Sequence, residues 1–121
     1  MELNSVMIGS ENPAALAEYY TKIFGKSEMA EDGFWGWKVG SGWLSVYAHS
    51  EVHGKNASPG RVMWNLESTD VPGDFDRLKS AGATVVLEPY HPEQETSMWV
   101  ATFSDPDGNY FQLMSPDPQA R

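Results

Sequence analysis

Two stretches of this chain carry the same signals for starting and stopping a helix, each with a short apolar strand ahead of it and strand-like segments behind. In the first, Val6-Met7-Ile8 reads as a strand and Asn12 stands where a side-chain oxygen caps a helix. Pro13 suits the first helical turn, because its missing N–H would have no partner there. Leu16, Tyr19, Tyr20, Ile23 and Phe24 recur at helical spacing, and Gly25 ends the helix. The second stretch repeats the grammar, with Val62 to Leu66 as strand, Ser68-Thr69-Asp70 as cap region, Phe75 and Leu78 as buried face and Gly82 as stop. Behind the first helix lie strand segments Glu28 to Ala30, Phe34 to Val39 and Trp43 to Ala48. Behind the second lie Thr84 to Glu88, Trp99 to Phe103 and Tyr110 to Met114, with Pro89 and a turn at Asp105 as breaks. His53 to Gly60 is polar and rich in turn formers, which makes it a linker.

The expected fold class is therefore α+β, built from two tandem β-α-β-β-β modules. Module 1 spans about residues 1–52, the linker about 53–60 and module 2 about 61–116, all within one domain of 121 residues. A chain of this length buries roughly two-thirds of its unfolded surface, enough for an independent core. The sharpest local signal is Asp105-Pro106-Asp107-Gly108-Asn109. Asp accepts a backbone N–H at the first turn position, Pro presets φ at the second, and Gly at the fourth takes the left-handed conformation of a type I turn with a bulge. After it, Phe111 and Leu113 alternate with Tyr110, Gln112 and Met114, so Gln112 faces away from the apolar side.

Charge narrows the partners. Eight Lys and Arg against 17 Asp and Glu give a formal charge of −9, which opposes phosphate backbones and anionic lipid surfaces, so neither nucleic acid nor membrane is an expected partner. Without cysteine there are no disulfides, thiol nucleophiles or thiolate metal sites. Met1-Glu2-Leu3-Asn4 leads into no secretory pattern, and a cytoplasmic location is expected.

Asn12-Pro13 leading to Tyr19-Tyr20 and Phe24-Gly25, then Leu78-Lys79-Ser80-Ala81-Gly82-Ala83, then Ala101 to Asn109 together resemble the vicinal oxygen chelate superfamily, also called the glyoxalase, bleomycin resistance protein and dioxygenase superfamily. The resemblance implies a glyoxalase-like fold in which the paired modules form a curled mixed sheet with a cleft, commonly completed by a homodimer. It also implies four cleft-facing positions that hold a divalent metal in the metal-using members. Those positions correspond here to Ser5, Met63, Gln112 and one near Ser45 or Tyr47. Serine is a poor ligand, methionine is soft and suits copper, and a neutral amide oxygen is weak. The expectation is that the metal site is lost and that no cofactor is required.

The remaining candidates follow from strand alternation. Met7, Trp43, Tyr47, Met63, Asn65, Glu67 and Gln112, with Ser5, are expected to line the ligand site: rings for stacking, methionine for adaptable apolar contact, and Asn65, Glu67 and Gln112 for a polar edge. Trp64 is expected to join Val62 and Leu66 under a helix, while the faces of Trp35, Trp37 and Trp99 stay open. His49-Ser50-Glu51-Val52-His53 could place His49, Glu51 and His53 on one side of an extended segment as a separate metal site, although a solvated strand end is the commoner meaning of such a run. His91, near Glu93 and Glu95, could carry a proton. The leading expectation is a metal-independent small-molecule-binding protein of the drug- or metabolite-sequestering kind, with a planar or partly cationic ligand. A metal-dependent lyase, isomerase or dioxygenase is the first alternative, and a metal-free enzyme with Glu67 or His91 as general base is the second.

Overall fold

The structure, a computed structural model, describes residues 1–93 and 97–116. It divides into two compact units between Lys55 and Asn56. In the first unit β1 (Ser5–Ser10) leads to α1 (Pro13–Phe24), then β2 (Met29–Glu31), β3 (Phe34–Val39) and β4 (Gly42–Ala48). In the second, a short 3-10 turn at Pro59–Arg61 precedes β5 (Trp64–Glu67), α2 (Val71–Ser80), β6 (Thr84–Tyr90), β7 (Val100–Ser104) and β8 (Tyr110–Met114). Each unit is a four-stranded mixed sheet with one helix, ordered β1-β4-β3-β2 and β5-β8-β7-β6. The first and last strands of each unit pair in parallel and the others antiparallel. The architecture is the expected α+β duplication of β-α-β-β-β.

The helix signals work as read. Asn12 accepts the Ala15 N–H at 3.4 Å and Asp70 accepts the Gly73 N–H at 3.1 Å, each satisfying one of the amides that a helix start leaves without a partner. Buried Leu16, Tyr20 and Ile23 of α1 face the first sheet, where Trp37 is 1% exposed. Its ring centroid lies 6.2 Å from that of Tyr20, and its indole N–H donates to the Gly25 carbonyl at 2.8 Å. One residue thus fills the core and ties the end of α1 to the sheet. In the second unit Phe75 of α2 stacks on Phe103 at 5.3 Å, Phe103 on Phe111 at 5.5 Å, and Phe111 on Trp64 at 4.8 Å. That row of rings is the core of the unit.

Two strand boundaries differ from the reading of the sequence. Strand β5 begins at Trp64, and Val62 is 71% exposed instead of sharing the core with Trp64 and Leu66. The 3-10 turn just ahead of it, with Pro59 in its first turn, takes up the chain where the apolar run suggested pairing. Pro89 does not break β6, which continues to Tyr90. This strand is the edge of its sheet and slips register between Leu87 and Tyr90, so a residue without an N–H is tolerated there. Among the described residues no helix is long and apolar enough to cross a membrane.

The turn before β8 is held by one buried carboxylate. Asp105 Oδ1 accepts the N–H groups of Asp107 and Asn109, both at 3.0 Å, and Oδ2 accepts the Asn109 side-chain amide at 3.0 Å. The Gly108 N–H closes the turn onto the Asp105 carbonyl at 2.9 Å, with Gly108 at φ 81°, where a β carbon would be strained. Asp105→Ala is expected to lower unfolding free energy by about 2–4 kcal/mol, since several donors lose one acceptor together. Urea unfolding followed by circular dichroism checks it, and a loss under about 0.5 kcal/mol would remove the turn from the list of stabilising elements.

Candidate functional site

In each unit the helix covers one face of the sheet and leaves the alternate residues of every strand on the other. In the first unit Ile8, Trp37, Leu44 and Val46 are buried toward the helix side. The open side then carries Ser5, Met7 and Gly9 on β1, Trp43, Ser45 and Tyr47 on β4, Phe34, Gly36 and Lys38 on β3, and Met29 and Glu31 on β2. The register arranges these in rows across the strands. One row reads Ser5, Trp43, Lys38; the next reads Met7, Ser45, Gly36, Met29; the third reads Gly9, Tyr47, Phe34, Glu31. Trp37 and Trp35, opposite Leu44 and Val46, belong to the helix side.

The middle row is low because Gly36 has no side chain. A β carbon there would stand 3.3 and 3.4 Å from Cζ3 and Cε3 of Trp43 and 3.8 Å from Cε1 of Phe34. The Trp43 ring therefore lies over Gly36, diagonally across the strands from its own position, and stays 40% exposed. Tyr47 continues the aromatic strip, 6.4 Å from Phe34. Met7 and Met29, 56% and 42% exposed, flank it. Strand alternation in the sequence points to Trp43, Tyr47, Met7 and Ser5 but not to Phe34, Gly36, Lys38 or Met29. Their side of the sheet depends on how β2 and β3 pair, and no local pattern announced it.

The open side of the second unit is polar where the first is aromatic. Asn65, Gln112 and Thr102 stand directly opposite one another on β5, β8 and β7. The Gln112 side-chain amide donates to Thr102 Oγ1 at 3.0 Å, which fixes the amide plane. Glu67 and Met114 form the adjacent pair, with Val100 and Tyr90 beyond. Met63 lies just ahead of β5, half-buried and unpaired in the ladder. Thr102, 2% exposed, is not among the residues expected from the sequence, although it alternates with Ala101 and Phe103.

The two units match residue for residue at this point. Met7 and Asn65 each stand five residues ahead of the helix cap, and they pair with Ser45 and Gln112. Ser45, not Tyr47, is thus the counterpart of Gln112. At the positions that the resemblance assigns to metal ligands stand two hydroxyls in the first unit, Ser5 and Ser45, and a thioether and an amide in the second, Met63 and Gln112. Zinc, nickel, manganese and iron are held by imidazole or carboxylate, and these residues do not suit them.

His49 and His91 are each engaged singly. His49 Nδ1 accepts the Glu51 N–H at 3.1 Å, and the His49 ring sits edge-on to Tyr47 at 5.8 Å. The segment folds back over β1: a β carbon on Gly9 would meet His49 Cβ at 2.9 Å and Val52 Cγ2 at 3.2 Å, while Glu11 accepts the Gly54 N–H at 2.7 Å. His49, Glu51 and His53 are therefore not gathered, and among the described residues no group of three His, Asp or Glu side chains could hold an ion. His91 is exposed, with its ring centroid 3.9 Å from Trp99, and its Nδ1–H donates to the Met98 carbonyl at 2.9 Å. Glu93 is exposed and Glu95 lies outside the described residues.

Residues 5–114 match the family of the glyoxalase-like domain. No curated protein matches the sequence significantly. Among solved structures, a protein named only as a conserved domain protein aligns with a TM-score of 0.78 at 23% identity, over 97% of this chain and 100% of its own. A glyoxalase/bleomycin resistance protein/dioxygenase family enzyme from Burkholderia phytofirmans PsJN aligns at 0.71 and 23% identity, over 95% and 98%. A glyoxalase/bleomycin resistance protein/dioxygenase from Nocardioides aligns at 0.76 and 12% identity, over 95% and 83%. At these identities the structural likeness shows the fold.

Thr102→Val removes the acceptor that Gln112 uses while keeping the buried volume. We expect a loss of about 1 kcal/mol in urea unfolding, because half-buried Gln112 can turn part of its amide to water. A loss above about 3 kcal/mol would mean that this pair anchors the sheet core and not merely its open side.

Proposed function

The chain belongs to the glyoxalase-like domain family of the vicinal oxygen chelate superfamily, and on that footing we propose that it binds a small molecule without using a metal ion. The observation that carries the reading is the donor set at the superfamily's metal positions, where Ser5, Ser45, Met63 and Gln112 offer no imidazole and no carboxylate. What replaces charge is surface. On the first unit Trp43, Phe34 and Tyr47 supply apolar rings, and Met7 and Met29 supply adaptable flanks; on the second, considered by itself, Asn65 and Gln112 supply amides. The rings and flanks of the first unit suit a partly planar organic molecule held by stacking, as in a sequestering protein.

The test is titration of intrinsic tryptophan fluorescence with a panel of planar drugs and metabolites, with and without EDTA, beside elemental analysis of the purified protein. Affinities are expected to be unchanged by EDTA, and metal content to be substoichiometric. Trp43→Ala should weaken the binders by about tenfold, the usual scale for losing one aromatic stacking partner. Stoichiometric zinc, nickel, manganese or iron whose removal abolishes binding would overturn the proposal, as would a panel in which no compound binds.

A further inference from the structure

We propose that the open face of the first unit selects planar aromatic acids, the ring lying on Trp43 and the carboxylate meeting the ammonium of Lys38. This rests on the small-molecule-binding reading above and narrows it to one ligand class. Trp43 and Lys38 are directly opposite residues of β4 and β3 on the open side, so their β carbons lie about 5 Å apart. The Trp43 ring lies over the bare backbone of Gly36, two residues along β3 from Lys38. That leaves the lysine beside the ring's outer surface instead of beneath it, within reach of a group at the edge of a stacked ligand. Lys38 is exposed and makes no ion pair among the described residues.

Lys38 is the one cation among the strand residues of this face. On this face the charged side chains are Lys38 and Glu31, and Glu31 stands two rows away, opposite Phe34. Glu28 lies close by and accepts the Lys38 backbone N–H at 2.9 Å. Its position toward β2 leaves the Trp43 side of Lys38 clear. On the other flank of Trp43 stands Ser5, which is uncharged. A chain of formal charge −9 repels anions at long range, so the preference is a contact effect that salt removes.

The proposal separates two devices, a platform and a charge. Gly36 makes the platform: the γ carbons of valine at that position would occupy the space now filled by Cζ3 and Cε3 of Trp43. Because valine favours strands and glycine weakens them, Gly36→Val should lift the ring without unfolding the sheet. Lys38 makes the sign preference, and Lys38→Gln removes it while keeping a long polar side chain.

Calorimetric titration with 2-naphthoate, 2-naphthamide and 2-naphthylmethylammonium tests both. For the unaltered protein at low salt, naphthoate should bind about three- to fivefold tighter than naphthamide, the range set by one exposed ion pair, and the ammonium compound should be weakest. In Lys38→Gln, and in the unaltered protein at high salt, naphthoate and naphthamide should bind alike. Gly36→Val should weaken both by about tenfold with an unfolding midpoint no lower than the parent's. If Gly36→Val does not fold, Trp43→Leu, which keeps apolar bulk without a ring, should give the same tenfold loss. Equal affinities for the three probes, tightest binding of the ammonium compound, or an unchanged preference in Lys38→Gln would overturn the inference and leave small-molecule binding standing. Unchanged affinity in a folded Gly36→Val or in Trp43→Leu, or no binding of any probe, would overturn it as well. The wider panel with EDTA decides the underlying reading separately.

Discussion

Packing one helix against one side of each sheet is the constraint from which the rest follows. In the first unit Trp37 is pressed against Tyr20, and its N–H is committed to the carbonyl of Gly25. With Trp37 pinned inward, strand alternation forces Gly36 and Lys38 outward. The ladder then aligns Gly36 with Ser45 and Lys38 with Trp43. In the second unit Phe75 on Phe103 plays the same part, and it sends Thr102 and its opposite residue Gln112 to the open side. A shift of one residue in either register would exchange the faces and bury the polar row, which the low dielectric of the core would penalise.

The duplicated units use identical topology for unlike surfaces. Ser45 and Gln112 are counterparts, as are Met7 and Asn65, yet the first unit surrounds its position with Trp43, Phe34 and Tyr47 and the second with amides and a hydroxyl. Gly9 and Glu67 diverge further: the chain after β4 folds over Gly9, whereas Glu67 ends an exposed edge of its sheet. The fold therefore supplies positions and leaves chemistry to the residues placed at them.

Much of this architecture could be read along the chain, because its signals are local. Asn12 with Pro13, and Asp70, act within a single helical turn, and Asp105 organises its turn within four residues. Strands β3 and β8 were delimited correctly by alternation and by the glycines and the turn beside them. The misplacements have physical causes. Val62 looked like strand by composition, but the 3-10 turn from Pro59 delays pairing until Trp64. Pro89 looks like a break, but an edge strand is paired on one side only, and its register slips at that point.

The amino-acid sequence by itself determined where helices start and stop, where the chain turns, that the same module occurs twice, and that neither imidazole nor carboxylate stands at the expected metal positions. These depend on contacts a few residues long or on residue identity alone. The tertiary structure decided which tryptophans are core and which are surface, that Ser45 and not Tyr47 answers to Gln112, and that Trp43 comes to rest over Gly36 beside Lys38. Those facts belong to strand register, and register is chosen by the burial of a whole face against a helix, an energy summed over residues far apart in the chain.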